Sequence, residues 1–463
     1  MAAISFFVLG PSAFVSLVGL LHGPDKTVPT PTEDYQKATI DMLIPAHNEE
    51  KSIVLCLESI VKQTLKPHKV ILVDDGSTDR TSELAEKFAA TIGLNLQIIR
   101  KEKSEGKTPA VSQITHSSTA DVLFVLDADT TFRSENYIEV LVKELYQGVG
   151  IACASGVILP EFEKDRERLI NTDAVTTFAQ TYPTVKEPRD TTWFQRLQHS
   201  ITNNYREELY LFLQKFIYHG EMVFFGSIVN PIGCAVAYRR KYLKDVLDHY
   251  EPILGYNLTT SEDIFIGFSF ADKGYRNIQV QNVYGMTLDP KLSKLPHQIL
   301  MWSSAFLQCC YYFDDLVRTP FKSPRVLWRS MKNRATGAQK SIENKRVVKE
   351  AYRQSFGTEL TEKYGRPIGW FIFTSAFEKI AYPTILIVLI ILRLWEALFF
   401  TILLELAIYT LMIGFMHKNR RVRNVLKSIL FMPVRYIVLV YDFYVMLNFT
   451  KDLWITRNRD WRK

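Results

Sequence analysis

The chain has 463 residues, 47% of them hydrophobic and 23% charged, with 21 Gly and 19 Pro. That is too apolar and too aromatic for a disordered chain, and long enough for about two to three domains. The net charge is +7, and five cysteines (Cys56, Cys153, Cys234, Cys309, Cys310) contain no C-x-x-C pair, which argues against a disulfide scaffold or zinc site and for a reducing compartment.

Residues 4–21 are free of charge and just long enough to span a bilayer core of about 20 apolar residues. No Lys or Arg precedes them and Lys26 follows, an asymmetry that favours an outside N-terminus with the next domain inside. The competing reading is a buried core helix, given the short span and Pro11.

Residues 39–127 alternate strand and helix. Thr39–Ala46 is a β-rich run. Glu50–Gln63 follows as a helix with Ile53, Cys56, Leu57, Ile60 and Val61 at helical spacing. Val70–Val73, Leu96–Ile99 and Val122–Leu126 are further short strands, with helices over Ser82–Ala90 and around Pro109–His116. Short apolar strands joined by helices predict a parallel sheet covered on both faces, whose ligands bind at the carboxyl ends of the strands. Polar motifs stand at those ends: His47-Asn48-Glu49, Asp74-Asp75-Gly76-Ser77 and Asp127-Ala128-Asp129.

Farther on, Glu161–Asp190 is polar with Pro183 and Pro188 and reads as a loop. Trp193–Phe225 mixes aromatics with charges, as helices lying along a bilayer surface do, although a buried face explains it equally; the same pair of readings applies to Phe306–Tyr312. Ser261-Glu262-Asp263 opens a helix through Ile264–Phe270. Residues 318–366 hold 13 Lys/Arg against 4 Asp/Glu, directly before the apolar C-terminus, so an anionic leaflet rather than nucleic acid is the expected partner.

Apolar runs at 370–392 and 397–416 are separated by Arg393 and Glu396, the pattern of two spans and a turn. His417, Lys418, Arg420, Arg421, Arg423 and Lys427 then form a basic cluster expected in the cytosol. A third run, 429–449, contains Pro433, Arg435 and Asp442; a full crossing there would put the basic tail outside. That segment is therefore re-entrant or interfacial, or the tail breaks the charge rule. The organisation is an N-terminal helix (1–22), a globular domain (39–302), a basic juxtamembrane region (303–367), membrane helices (368–449) and a basic tail (450–463).

A dinucleotide fold needs G-x-G-x-x-G after its first strand, where this chain has P-A-H-N-E-E, and a P-loop needs glycine where Lys101 stands before Gly106-Lys107-Thr108. Both fail. Carboxylates replace the glycine cradle, and beside a diphosphate they require a divalent cation. Asp127 and Asp129, one residue apart at a strand end, can reach one locus, although a lone D-x-D is more often a surface loop and Asp75 could be a simple turn residue.

The ordered set Ile44-Pro45-Ala46-His47-Asn48-Glu49-Glu50, Val73-Asp74-Asp75-Gly76-Ser77-Thr78-Asp79, Gly106-Lys107 with Ala110, Asp127-Ala128-Asp129 and Ser261-Glu262-Asp263 resembles the motifs of family 2 glycosyltransferases. With flanking membrane segments it is most similar to the processive branch, the cellulose, chitin, hyaluronan and poly-N-acetylglucosamine synthases. The resemblance implies a GT-A α/β domain with a mainly parallel sheet plus an α-helical transmembrane region. It implies a UDP-sugar donor with Ala46, Glu49 and Asp75 around uracil and ribose, Lys107 on the diphosphate, Asp127 near the nucleotide and the metal, and Asp129 on Mg²⁺ or Mn²⁺. Asp263 becomes the base that deprotonates the acceptor, with Glu262 beside it. Gly233 and Cys234 lie where an acceptor sugar approaches; Gln298 and Trp302 match Q-x-x-R-W, with Met301 at the arginine position.

The expected function is a polysaccharide synthase of the plasma (inner) membrane, with a cytoplasmic catalytic domain, that elongates a chain from a UDP-sugar and is coupled to export. UDP-N-acetylglucosamine and UDP-glucose lead as donors by resemblance. The alternatives are a non-processive enzyme acting on a polyprenyl phosphate or other lipid acceptor, and a silent nucleotide-binding subunit.

Overall fold

The computed structural model describes residues 34–148, 150–190, 192–255, 261–335, 358–416 and 421–456, with a few isolated positions between 10 and 21. The N-terminal span expected over residues 1–22, most of the basic stretch before the C-terminal helices and the final tail lie outside the described residues.

Strands β1 (Ile40–Ala46), β2 (Lys69–Asp74), β3 (Leu96–Arg100) and β4 (Val122–Leu126) alternate with helices α1 (Ile53–Val61), α2 (Thr81–Ile92) and α3 (Lys107–Ser117). The four strands pair in parallel in the order β3-β2-β1-β4. Their near-continuous apolar sequence follows from helices on both faces: β4 is buried along its whole length. All four strands and the helices between them lie where the sequence puts them.

Beyond β4 the sheet changes direction. β5 (Thr130–Phe132), α4 (Tyr137–Leu145), β6 (Ile151–Pro160), β7 (Ala235–Arg239) and β8 (Arg276–Thr287) complete eight strands in the order β3-β2-β1-β4-β7-β6-β8-β5. β7 runs antiparallel to both β4 and β6, β6 and β8 are parallel, and β5 returns antiparallel to β8. The result is a mixed sheet whose first four strands form a parallel half.

The stretch read as a loop, Glu161–Asp190, contains two helices, α5 (Glu163–Ile170) and α6 (Asp173–Thr181). Local polarity hid them because their order comes from capping and from one buried cation. Thr172 Oγ1 accepts from the Val175 N–H at the start of α6, and Arg166 donates to the carbonyls of Lys51, Val185 and Glu187.

Trp193–Phe225 is helical, as α7 (Trp193–Phe212) and α8 (Tyr218–Phe225) joined by a π-turn, but only its start is exposed. Trp193 is 75% exposed, whereas Tyr210, Phe212 and Phe216 are buried. After α8 come α9 (Arg240–Leu254) and α10 (Glu262–Lys273); Phe306–Tyr312 belongs to α11 (Leu295–Tyr312), and Phe306, Cys309 and Cys310 on it are buried in the core.

After α11 (Leu295–Tyr312) come α12 (Thr319–Ala335), α13 (Pro367–Ile391), α14 (Trp395–Met416), α15 (Arg421–Leu430) and α16 (Met432–Thr450). Among the described residues, α13 and α14 are long and apolar enough to cross a membrane. The pair α15 and α16, bent by 49°, makes a third if counted as one broken span. The bend falls at the 429–449 run whose topology the sequence left open.

Buried ion pairs fasten these helices together. Lys379 Nζ on α13 lies 2.7 Å from Asp442 Oδ2 on α16, Ser303 Oγ on α11 donates to the other Asp442 oxygen, and Arg435 on α16 lies 2.5 Å from Glu405 on α14. Polar groups of this kind inside apolar helices persist when paired with one another. Lys427 of α15 reaches Glu207 of α7 at 2.6 Å, tying the C-terminal helices to the sheet domain.

Candidate active site

Each carboxyl end of the parallel strands delivers polar groups to one edge of the sheet. After β1, His47 Nδ1 lies 2.8 Å from the carbonyl of Asp75, and Asn48 takes a left-handed conformation (φ 57°) with its side-chain oxygen accepting from Thr78 N–H. After β2, both Asp75 oxygens are engaged: the N–H groups of Glu105 and Gly106 and the Ser104 hydroxyl donate to them. Burial alone would raise the Asp75 pKa, but these donors and Lys101 hold its carboxyl below the ordinary range. Asp75 thereby anchors the 104–106 loop that leads into Lys107.

After β4, Asp127 N–H donates to Cys234 O at 2.8 Å, which brings the D-x-D turn against Gly233 and Cys234. Lys107 Nζ bridges three elements. It lies 2.7 Å from Asp127, 2.8 Å from Glu262 and donates to Gly233 O at 3.0 Å. Burial disfavours its ammonium, but Asp127, Glu262 and Asp263 outweigh that and hold Lys107 protonated, well above the usual lysine range.

Asp263, in the first turn of α10, accepts from Ser261 Oγ at 2.6 Å and from Gly233 N–H at 3.1 Å. Burial opposes its ionised form, while Lys107 and the hydrogen bonds from Ser261 and Gly233 favour it. Glu262 goes the other way, raised chiefly by burial. Burial likewise pushes Asp127 up to about 6 and Asp129 up to about 7, each with a neighbouring carboxylate adding to the shift, Asp129 for Asp127 and Glu49 for Asp129.

These residues surround two adjoining cavities. One, of about 310 Å³, is lined by Ala46, His47, Glu49, Asp75, Lys107, Asp127 and Asp129. The other, of about 570 Å³, shares Lys107, Asp127 and Asp129 and continues past Gly233, Cys234, Glu262 and Asp263 to Gln298, Met301 and Trp302. Each residue that the resemblance gives a site role lines one or both of these cavities, whereas Asn48, Asp74, Gly76 and Ser77 line neither. Gln298 and Trp302 are nonetheless already partnered: the Arg206 guanidinium donates to Gln298 Oε1 and lies 5.2 Å from the centre of the indole ring.

The sequence missed Tyr210 and Asp289, which line the larger cavity, and Arg206, which holds Asp289. Arg206 and Tyr210 sit in a helix of mixed composition and Asp289 follows a strand without a motif; tertiary folding alone brings them together.

The donor set suits a hard divalent cation. Asp129 and Asp127 are half-buried carboxylates two positions apart, both with raised pKa values. Among the described residues no three His, Cys, Asp or Glu side chains gather as a ligand set. Asp129 and Asp127 would hold such an ion, which would supply positive charge beside a bound diphosphate.

The architecture is similar to that of a solved mannosyltransferase from Pyrobaculum calidifontis in complex with GDP-Man and Mn²⁺. The two share 15% identity and a TM-score of 0.50, over 96% of this chain and 94% of that one. At that identity the likeness is one of fold, a GT-A-like mixed sheet followed by helices. In sequence, 116 residues are 37% identical to the 4,4'-diaponeurosporenoate glycosyltransferase of Staphylococcus aureus (strain N315), covering 25% of this chain and 30% of that protein. A 37% match of the same kind, over 114 residues, joins the chain to the enzyme of that name in S. aureus (strain Newman). The chain thus spans less than a third of the length of the curated relatives it matches. The Glycosyl transferase family 2 model matches residues 41–247, from β1 into α9.

Proposed function

We propose that the chain is a membrane-held, metal-dependent glycosyltransferase that moves a sugar from a UDP-sugar to an acceptor hydroxyl, with inversion at the anomeric carbon. The observation that carries the reading is the meeting of Lys107 at the start of α3, Asp127 and Asp129 after β4, and Glu262 and Asp263 at the start of α10 in a single cleft. The uracil and ribose lie along Ala46, Glu49 and Asp75 in the smaller cavity, and the diphosphate lies at Lys107. Asp129 and Asp127 would hold a divalent cation, which would supply charge to stabilise the departing UDP. Asp263, ionised and fixed by Ser261 and Gly233, takes the proton of the acceptor hydroxyl as it attacks opposite the leaving group; a base so placed contributes about 10²–10⁴-fold. Lys107 keeps its proton and shifts its attraction from Asp127 and Glu262 toward the diphosphate.

For the acceptor we take a growing polysaccharide first, because the cleft runs from Asp263 to the indole of Trp302, a flat surface suited to a sugar ring. A lipid-borne acceptor is the second reading. It is favoured by Trp193 and Phe194, exposed at the start of the helix that α15 contacts through Lys427, and by Arg206 occupying the neighbourhood of the Trp302 ring. The S. aureus relatives, whose name denotes a diaponeurosporenoate acceptor, point the same way.

The test is UDP or GDP release by detergent-purified full chain with Mn²⁺ or Mg²⁺. The panel is UDP-glucose, UDP-N-acetylglucosamine and GDP-mannose, with Asp263→Asn as control. Release lost in the control supports the transferase, and product sizing separates polymer from lipid-linked monosaccharide. Nucleotide binding without release from any donor, with lipid and oligosaccharide acceptors supplied, would overturn it.

A further inference from the structure

The far end of the larger cavity is built around a buried cation. Arg206, 1% exposed on α7, donates to Asp289 Oδ1 at 2.5 Å and also to Gln298 Oε1, and its guanidinium lies over Trp302. Tyr210 OH donates to the same Asp289 oxygen at 2.9 Å. One oxygen of Asp289 is thus doubly engaged. The other, Oδ2, has no hydrogen-bond partner among the described residues, although Asp289 is 2% exposed and lines the cavity. A buried carboxylate oxygen left without a donor is an unusual feature of a folded protein and marks where a ligand donor fits.

Gln298 has the complementary property. Its oxygen is committed to Arg206, which leaves its amide N–H₂ to donate. An acceptor oxygen, an amide donor and an indole on one wall match the equatorial hydroxyls and apolar C–H face of a sugar ring. The place fits too: the Leu288 N–H donates to the carbonyl of Asp129 at 3.3 Å, so Asp289 follows directly on the residue bound to the D-x-D turn.

Resting on the functional reading above, we propose that Asp289 is a sugar-binding residue that accepts a hydroxyl hydrogen bond through Oδ2. In this arrangement Arg206 is the positioning residue that aims Asp289 and Gln298 into the cleft. The hydroxyl belongs either to the donor's sugar or to the acceptor's terminal sugar. A site built to bond a hydroxyl discriminates strongly against a ring that lacks or inverts it, so this cluster selects among epimers where the D-x-D and base residues do not.

The experiment uses full-length Asp289→Asn and Arg206→Lys in detergent with Mn²⁺. It compares calorimetric binding of UDP, UDP-glucose and UDP-N-acetylglucosamine, and measures kcat and KM with saturating donor and varied acceptor. UDP affinity within about twofold of wild type shows that the fold persists. A donor-sugar contact lowers affinity for the preferred UDP-sugar about tenfold in Asp289→Asn while leaving UDP unchanged. An acceptor contact instead spares all three nucleotides and raises the acceptor KM about tenfold with kcat changed less. In either case Arg206→Lys moves the same parameter in the same direction, since a lysine cannot hold two partners at once as the guanidinium fork does.

Unchanged UDP-sugar affinity together with unchanged acceptor KM in Asp289→Asn would overturn the inference. So would an equal loss for UDP and its sugars, which marks Asp289 as a structural ion-pair partner. A wild type that binds these nucleotides but never turns over would sink the functional reading instead, while the binding comparison still decides the role of Asp289.

Discussion

The backbone N–H of Gly233 donates to Asp263 Oδ2 at 3.1 Å, and a Cβ at position 233 would lie 2.6 Å from the Cβ of Asp263. Glycine at 233 is therefore a condition for the carboxylate to stand where it does. Gly233→Ala is expected to displace Asp263 and lower kcat by about 10²-fold, the cost of a small misplacement of a reacting group, with UDP affinity retained. Steady-state kinetics beside UDP calorimetry check this; an alanine variant with full kcat would show that Asp263 has no fixed role.

Asp263→Asn keeps the shape and removes the base. The expected loss in turnover is about 10²–10⁴-fold with donor binding intact. Glu262→Gln is expected to act differently, because Glu262 pairs with Lys107 at 2.8 Å: its removal frees the lysine for the diphosphate and lowers kcat less than Asp263→Asn.

Asp129→Ala is expected to reduce UDP affinity in Mn²⁺ to the value measured in EDTA. Calorimetry with and without Mn²⁺ reads this directly, and a variant that still binds UDP more tightly with Mn²⁺ would remove Asp129 from the metal site.

Glu221, 1% exposed on α8, accepts from the Val229 N–H at 2.7 Å, and burial pushes its carboxyl up to about 8 from 4.5. Between those two values the folded state binds a proton that the unfolded state has released, so this group's contribution to stability is complete at low pH and lost as pH rises toward 8. The slope approaches about 1.4 kcal/mol per pH unit. Glu221→Gln removes the dependence. Melting of both proteins in detergent from pH 5.5 to 8.5 should show the wild type losing ground to the variant as pH rises; parallel curves would refute it.

The parallel half of the sheet was legible because its code is local. Runs such as Val122–Leu126 are apolar throughout, and each ends in a polar motif whose chemistry is short-range in sequence. The antiparallel half was not. β7 is five residues long, and what recruits it is Tyr238 opposite Leu123 and Cys153, a pairing over more than eighty residues of chain. The same applies to the cleft. Lys107, Asp127 and Asp263 announce themselves by motif, whereas Arg206 and Asp289 are 83 residues apart and acquire meaning only when α7 and the end of β8 meet.

The hydrogen bond from Ser303 to Asp442 joins the residue next to Trp302 to a helix of the apolar bundle, and Lys379 locks that helix to its neighbour. One wall of the cleft is consequently fastened to the C-terminal helix bundle and the other, with the D-x-D turn, belongs to the sheet. The gap between them is set by how the C-terminal helices pack, so those helices are a structural component of the cleft. A soluble fragment ending before α13 would retain the nucleotide pocket but lose the support that holds the α11 wall in place.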